Sequence, residues 1–383
     1  MKVGFISFHT FVNPGGVKNH ILGLAEEYEK KGIETKILVP RRKLGENYGE
    51  KVILNGVSLP FNVGGTQGDI CMNFNLFSLY NVLKKEKFDV LHFHNFVIPS
   101  AWQILEWQHL INDKAVNVLT FHANLDGMPI FRKNPYFTNL FIKRMEKNMD
   151  GVIGVANLTL EPFRSYSGIT QVIPNGVNLK EFNPEETVGY KKFEDGKINI
   201  LFIGRLEERK GLIYLLEAYK LLQEKHDNLR LIIVGDGPLR QECENFVKFN
   251  ELKNVVFEGQ KVGSNVIPRY LKSCHIFCSP AIFGESFGIV LLEGMAMGKP
   301  ICGFSNLGYK ELLKGTMGQD FLAEPRDSKA LAEILDRLVK DKGLREEMGK
   351  WGLEKVKEYS WEKVAERVLA FYEKCRQSKL TKE

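Results

Sequence analysis

Glu285 and Glu293 are separated by seven residues in the stretch Phe283-Gly284-Glu285-Ser286-Phe287-Gly288-Ile289-Val290-Leu291-Leu292-Glu293. Residues from Ser286 to Met297 favour a helix, which Gly298-Lys299-Pro300 stops. Ser286 then serves as its N-cap, with Glu285 just outside the helix and Glu293 about two turns in. A helix N-terminus carries unpaired N–H groups and partial positive charge, which suits a phosphate. Two carboxylates beside it can each accept a pair of hydroxyl protons, as from the vicinal diols of a sugar and a ribose. The same spacing also fits a capped helix with acids set against its macrodipole. A cationic set lies in Gly204-Arg205-Leu206-Glu207-Glu208-Arg209-Lys210-Gly211. Arg205 offers a bidentate fork and Lys210 a point charge, both suited to phosphate, although a basic loop is ordinarily just solvated.

Histidines form a third group. His92 and His94 alternate in Asp89-Val90-Leu91-His92-Phe93-His94 and share one face of a strand. They read as a ligand pair or, more commonly, as core residues with satisfied hydrogen bonds. His122 follows the strand Asn117–Phe121, at the carboxyl end where α/β folds place their sites. Gly15 and Gly16 lie between a first strand, Lys2–Phe8, and a helix from Lys18 to Lys31. Glycine there lets the backbone approach a ligand, or merely serves a turn. No G-x-G-x-x-G is present, so a dinucleotide site is not indicated.

Positioning these groups takes an alternation of strands and helices. Strands are predicted at Glu34–Val39, Asp89–His94, Gly151–Val155 and Gln171–Pro174. Asn62–Asp69 reads as a mobile glycine-rich loop, and Asn73–Lys87 as an amphipathic helix ending in Lys84, Lys85 and Lys87. Glu185–Gly196 reads as a linker. A second set of strands follows at Ile198–Ile203, Leu229–Val234, Val255–Gln260 and His275–Cys278. Gly235-Asp236-Gly237-Pro238 is a structural turn. The pattern predicts an α/β chain with domains at 1–175 and 176–360, residues 361–383 packing back on the first.

Glu285 and Glu293, the G-R-x-x-x-x-K-G loop at Gly204–Gly211 and Pro174-Asn175-Gly176-Val177-Asn178 together resemble the retaining glycosyltransferases of family 4. Asn178 replaces that family's usual aspartate. The resemblance implies the GT-B architecture, two facing Rossmann-like domains with a central cleft. It implies that Glu285 holds the donor sugar and Glu293 the nucleotide ribose. Phe287, Gly288 and Ile289 would contact sugar hydroxyls and phosphate through the backbone. Arg205 and Lys210 would neutralise the leaving diphosphate, and Gly15 and Gly16 would meet it. Gln260 and Val262 would contact the base, and His122 would lie at the reaction centre. Within the family the chain resembles the phosphatidylinositol mannosyltransferases, through Asn13–His20, Leu119–His122 and Gly284–Val290. That subgroup uses GDP-mannose. It carries basic residues around its membrane-facing helix, whereas Asn62–Tyr80 here has no Lys or Arg.

The chain has 383 residues, 44% hydrophobic and 26% charged, the composition of a globular protein with two domains of ordinary size. The net charge of +6 is too small to imply nucleic acid. No apolar run has membrane-spanning length, and no signal peptide is read at Met1–Phe8. Six scattered cysteines fit reduced thiols in a cytoplasm. Cys274, His275 and Cys278 have no second ligand pair, so no metal ligand set is expected. The implied partners are a nucleotide-sugar donor, a lipid or sugar acceptor and an anionic membrane surface at the cytoplasmic face. No obligate protein partner or cofactor is indicated. Mg2+ is compatible, but the D-x-D metal clamp is absent. The competing readings are a UDP-sugar donor with a soluble or glycan acceptor, a non-catalytic nucleotide-sugar binder, and an epimerase or phosphorylase of the same architecture.

Overall fold

The computed structural model describes residues 1–12, 15–63, 66–72, 76–95, 99–123, 135–261, 263 and 265–381. The chain divides into two compact units, Met1–Gly176 with Trp361–Glu383, and Val177–Ser360.

The first unit is built on an eight-stranded sheet. Its strands are β1 (Lys2–Ser7), β2 (Glu34–Arg41), β3 (Val52–Val63), β4 (Thr66–Met72), β5 (Val90–His94), β6 (Val116–Phe121), β7 (Gly151–Gly154) and β8 (Ile169–Val172). The order is β4-β3-β2-β1-β5-β6-β7-β8. All neighbours are parallel except β3 and β4. Strands β5, β6 and β7 are buried along their length, as expected when both faces of a parallel sheet are covered.

The β3–β4 hairpin corrects the reading of Asn62–Asp69 as a loop. Asn62 pairs with Gln67 and Val63 with Thr66, while Gly64 and Gly65 lie outside the described residues. The amphipathic helix is described over Leu76–Glu86 and ends one residue before the expected Lys87, which turns left-handed at φ 47°. Asn73 and Phe74 lie outside the described residues.

Helix Gly16–Lys30 buries His20, Ile21, Leu24, Ala25 and Tyr28, a stripe at helical spacing. Against it lies the carboxyl-terminal helix Trp361–Leu380, which buries Trp361, Val364, Ala365, Val368, Phe371, Tyr372 and Cys375. Gly23 permits this approach: a Cβ there would sit 2.3 Å from Trp361 Cε2.

The second unit carries a six-stranded, wholly parallel sheet in the order β11-β10-β9-β12-β13-β14. The strands are β9 (Ile198–Ile203), β10 (Leu229–Val234), β11 (Val255–Gly259), β12 (Ile276–Ser279), β13 (Ile301–Phe304) and β14 (Leu322–Ala323). Helix Leu212–Gln223 and helix Ser328–Lys340 supply much of the core on one face. The Asp327 side chain accepts from Ala330 N–H and caps the second of these. Because β9 and β12 are neighbours, the loops after them emerge side by side at the carboxyl end of the sheet, where α/β folds place ligands.

Candidate functional site

The loop after β9 and the loop after β12 are fastened together. Ile282 N–H donates to Arg209 C=O at 2.8 Å. Gly211 has φ +67°, and a Cβ there would lie 2.0 Å from the Pro280 carbonyl oxygen, so no larger residue fits. On the other side, Gly235 closes on Gly204 and Leu206 N–H donates to Asp236 C=O at 3.0 Å. The Gly235–Pro238 turn is thus a structural brace for the cation loop.

This bracing places three cations and two carboxylates together. Lys210 Nζ donates to Glu285 Oε1 at 2.5 Å, and Arg209 Nη1 donates to the same oxygen at 2.9 Å. Arg209 Nε lies 2.5 Å from Glu207 Oε1, an ion pair not aligned as a hydrogen bond. Arg205 is 3.9 Å from Glu207 and its side chain is 37% exposed, so its guanidinium can reach a ligand. Burial opposes ionisation of Glu285, but Lys210 and Arg209 beside it hold the carboxyl below its ordinary range. Arg209 and buried Glu207 belong to the cluster but were not singled out from the sequence. Both lie inside the quoted cation loop.

The predicted N-cap is corrected. The helix begins at Ile289, not Ser286, and its N-cap is Gly288 at φ 107°. A Cβ on Gly288 would also fall 2.7 Å from the Tyr309 ring. Glycine is therefore demanded both by backbone and by packing, and the free amides of the first turn start two residues later than the sequence suggested. The loop before this helix is clamped from below. Asn306 donates to Ala281 C=O at 2.8 Å, Tyr309 and Ser279 share a hydrogen bond of 2.7 Å, and Gly308 leaves no room for a Cβ against Glu285 and Phe287 backbone. Phe287 is buried, its ring 5.9 Å from Tyr359. Glu293 lies in the second turn of the helix. Burial, then the nearby Glu181, push its carboxyl up to about 8, against the pull of Lys210. Gln260 is exposed just past β11, and Val262 lies outside the described residues.

In the first unit, the carboxyl ends of β5 and β6 gather histidines. His122 follows β6, and its backbone N–H donates to Asn95 Oδ1 at 2.8 Å. His94 Nδ1 and His122 Nε2 are 3.1 Å apart. His20, from the first turns of helix Gly16–Lys30, stands edge-on to His122 with ring centroids 4.7 Å apart. Its Nδ1 donates to Asn175 Oδ1 at 2.8 Å. His92 is a core residue, bonded to Thr120 Oγ1 and to Tyr372 O–H, both at 2.6 Å. Burial holds His122 and His94 well below their ordinary range, and the neighbouring imidazoles add to this. His122 is therefore neutral near pH 7 and works as a neutral hydrogen-bonding group. His92 is thus the core histidine that the sequence reading favoured, its ring 4.3 Å from that of His94, while His20 and His122 bring ring nitrogens to His94. At Gly15 the backbone is extended, and a Cβ there would meet nothing within 4 Å. The chain's own packing does not require glycine at that point.

Two Rossmann-type parallel sheets, one bearing a braced cation–carboxylate cluster at its strand ends, define the class: this is the fold of the GT-B glycosyltransferases. Sucrose-phosphate synthase from Thermosynechococcus elongatus matches with a TM-score of 0.74 at 18% identity, over 98% of this chain and 99% of that one. Anabaena Alr3699/HepE in complex with UDP and glucose matches with the same TM-score and identity, over 98% of this chain and 100% of that one. Residues 14–181 match the model of Glycosyltransferase Family 4, and residues 185–355 that of Glycosyl transferases group 1. The phosphatidyl-myo-inositol mannosyltransferase of Mycobacterium leprae is 30% identical over 97% of this chain and 96% of its own length. The chain belongs to glycosyltransferase family 4.

Proposed function

We propose that this glycosyltransferase moves mannose from GDP-mannose to an inositol-bearing phospholipid, with retention at the anomeric carbon. The observation that carries the reading is the fixed cation–carboxylate cluster of Arg205, Arg209, Lys210 and Glu285, set in a chain similar over its length to a phosphatidyl-myo-inositol mannosyltransferase. Charge develops on the departing diphosphate, and cations already held in place lower the barrier without reorganising. Glu285 takes hydroxyls of the sugar and Glu293 those of the ribose. The acceptor oxygen bonds to the anomeric carbon on the face that the diphosphate leaves. The bond from that carbon to the β-phosphate oxygen breaks, and the acceptor proton passes to that oxygen. His122 serves the acceptor as a neutral imidazole. No metal is required in this scheme.

A peripheral membrane position at the cytoplasmic face belongs to the same proposal. Among the described residues no helix is long and apolar enough to cross a membrane. On helix Leu76–Glu86, Phe77 is 84% exposed, and Lys84, Lys85 and Lys87 are exposed beside it. The apolar face is narrower than the sequence suggested, because Leu79 is buried in the core with Leu83. Lysines at an anionic surface contribute about 1 kcal/mol each.

The test is a matrix of donors against acceptors: GDP-mannose and UDP-glucose, each with phosphatidylinositol vesicles, soluble inositol phosphate and a mannose oligomer. Transfer only from GDP-mannose to vesicle lipid is the expected result. Transfer from UDP-glucose, or to the soluble acceptors alone, would replace the proposed donor or acceptor.

A further inference from the structure

We propose that His20, His94 and His122 form a binding site for one divalent transition-metal ion of the zinc type. Each residue offers a ring nitrogen, and the three nitrogens lie within 4.8 Å of one another. Two imidazole nitrogens on one tetrahedral Zn2+, at roughly 2.0–2.1 Å each, stand roughly 3.3–3.4 Å apart. The 3.1 Å between His94 Nδ1 and His122 Nε2 is close to that edge.

Two further observations point to a ligand. His20 Nε2 is buried and has no hydrogen-bond partner, and an orphaned buried polar atom needs a reason. Asn175 Oδ1 can only accept from His20 Nδ1, so the proton sits on Nδ1 and the bare lone pair is on Nε2. An outer hydrogen bond of this kind fixes the tautomer of a metal-ligating histidine.

The donor set selects the ion. Three imidazoles with no carboxylate or thiolate suit Zn2+, Co2+, Ni2+ or Cu2+ rather than Mg2+ or Ca2+. Three protein ligands also leave a fourth position open. A bound ion occupies a nitrogen of His122, so on the function proposed above it slows transfer rather than assisting it.

The test uses the full-length chain stripped with chelator and titrated with Co2+, read by visible absorption, with Zn2+ as competitor. The expected result is one Co2+ per chain, with the intense bands of a four-coordinate site that one equivalent of Zn2+ removes. His20→Gln and His94→Gln should each weaken binding about 100-fold or more, while His109→Gln, at an exposed position, changes nothing. Should those variants fail to fold, Asn175→Ala keeps all three ligands and frees His20 from its orienting bond. It should weaken binding about 10–100-fold. Absence of stoichiometric binding, or affinity equal in the wild type and in folded His20→Gln, would overturn the site. The absorbance readout does not depend on transfer, so it fails or succeeds separately from the proposed function.

Discussion

Lys210 Nζ donates to Glu285 Oε1 at 2.5 Å, across two loops that are 75 residues apart in the chain. The carboxylate fixes the ammonium, and Arg209 completes a three-way contact. The cluster as a whole carries three cations against two carboxylates, Glu207 and Glu285. One positive charge is thus left uncompensated for an anion.

Removing a preset cation should therefore cost turnover more than binding of the nucleotide. Arg205→Ala and Lys210→Ala are each expected to lower kcat by about 10²–10³-fold, the loss typical of one electrostatic donor. Steady-state kinetics with saturating donor check this. Turnover within a few-fold of wild type in both variants would remove these residues from the mechanism.

Glu293 predicts a pH dependence for the second unit. Its folded carboxyl titrates near 8 instead of the ordinary 4.5. Between those values the folded chain holds a proton that the unfolded chain has released, so this group's contribution to stability falls as pH rises from 4.5 to about 8. Glu293→Gln should remove that trend, with its Tm advantage over the wild type growing from pH 5 to pH 8. An advantage independent of pH would contradict the assignment.

The first unit should respond in the opposite direction. His20, His92, His94 and His122 are all held below the ordinary 6.5 by burial, His20 near 4. Below pH 6.5 the unfolded chain binds more protons, so stability falls with pH, by up to about 1.4 kcal/mol per pH unit for each histidine. Hydrogen exchange resolved by unit, at pH 5.5 and 7.5, should show the first unit losing protection in acid. Equal protection at both pH values would count against buried neutral histidines.

Trp361 fills the hollow left by Gly23 and Gly176, whose added Cβ atoms would fall 2.3 Å and 2.4 Å from its ring. Trp361→Ala should destabilise the first unit by about 3–5 kcal/mol. Denaturant melts read by far-UV circular dichroism would measure it.

The sequence motifs that lie in one short run were legible: the glutamate pair, the cation loop and the alternation of strands and helices. The helix start at Ile289 was not, because Ser286 has cap chemistry while the left-handed turn that decides the start is at Gly288. The β3–β4 hairpin was hidden by residues such as Asn62 and Gly68, which read as loop although each is paired across the two strands. The histidine cluster was only half visible. His94 and His122 lie at neighbouring strand ends, but His20 and its partner Asn175 are 155 residues apart and meet only through the strand order. No local pattern encodes such a meeting. Glu207, buried beside Arg209, was passed over because a run of charges reads as solvated.

The most direct measurement of the central claim is single-turnover transfer with purified full-length protein, labelled GDP-mannose and phosphatidylinositol vesicles in excess EDTA, with the anomeric configuration of the product read by NMR. The account predicts an α-linked mannosyl lipid, formed without added metal and reduced at least about 100-fold in Lys210→Ala. A β-linked product, or donor that binds and stays intact with every acceptor offered, would contradict it.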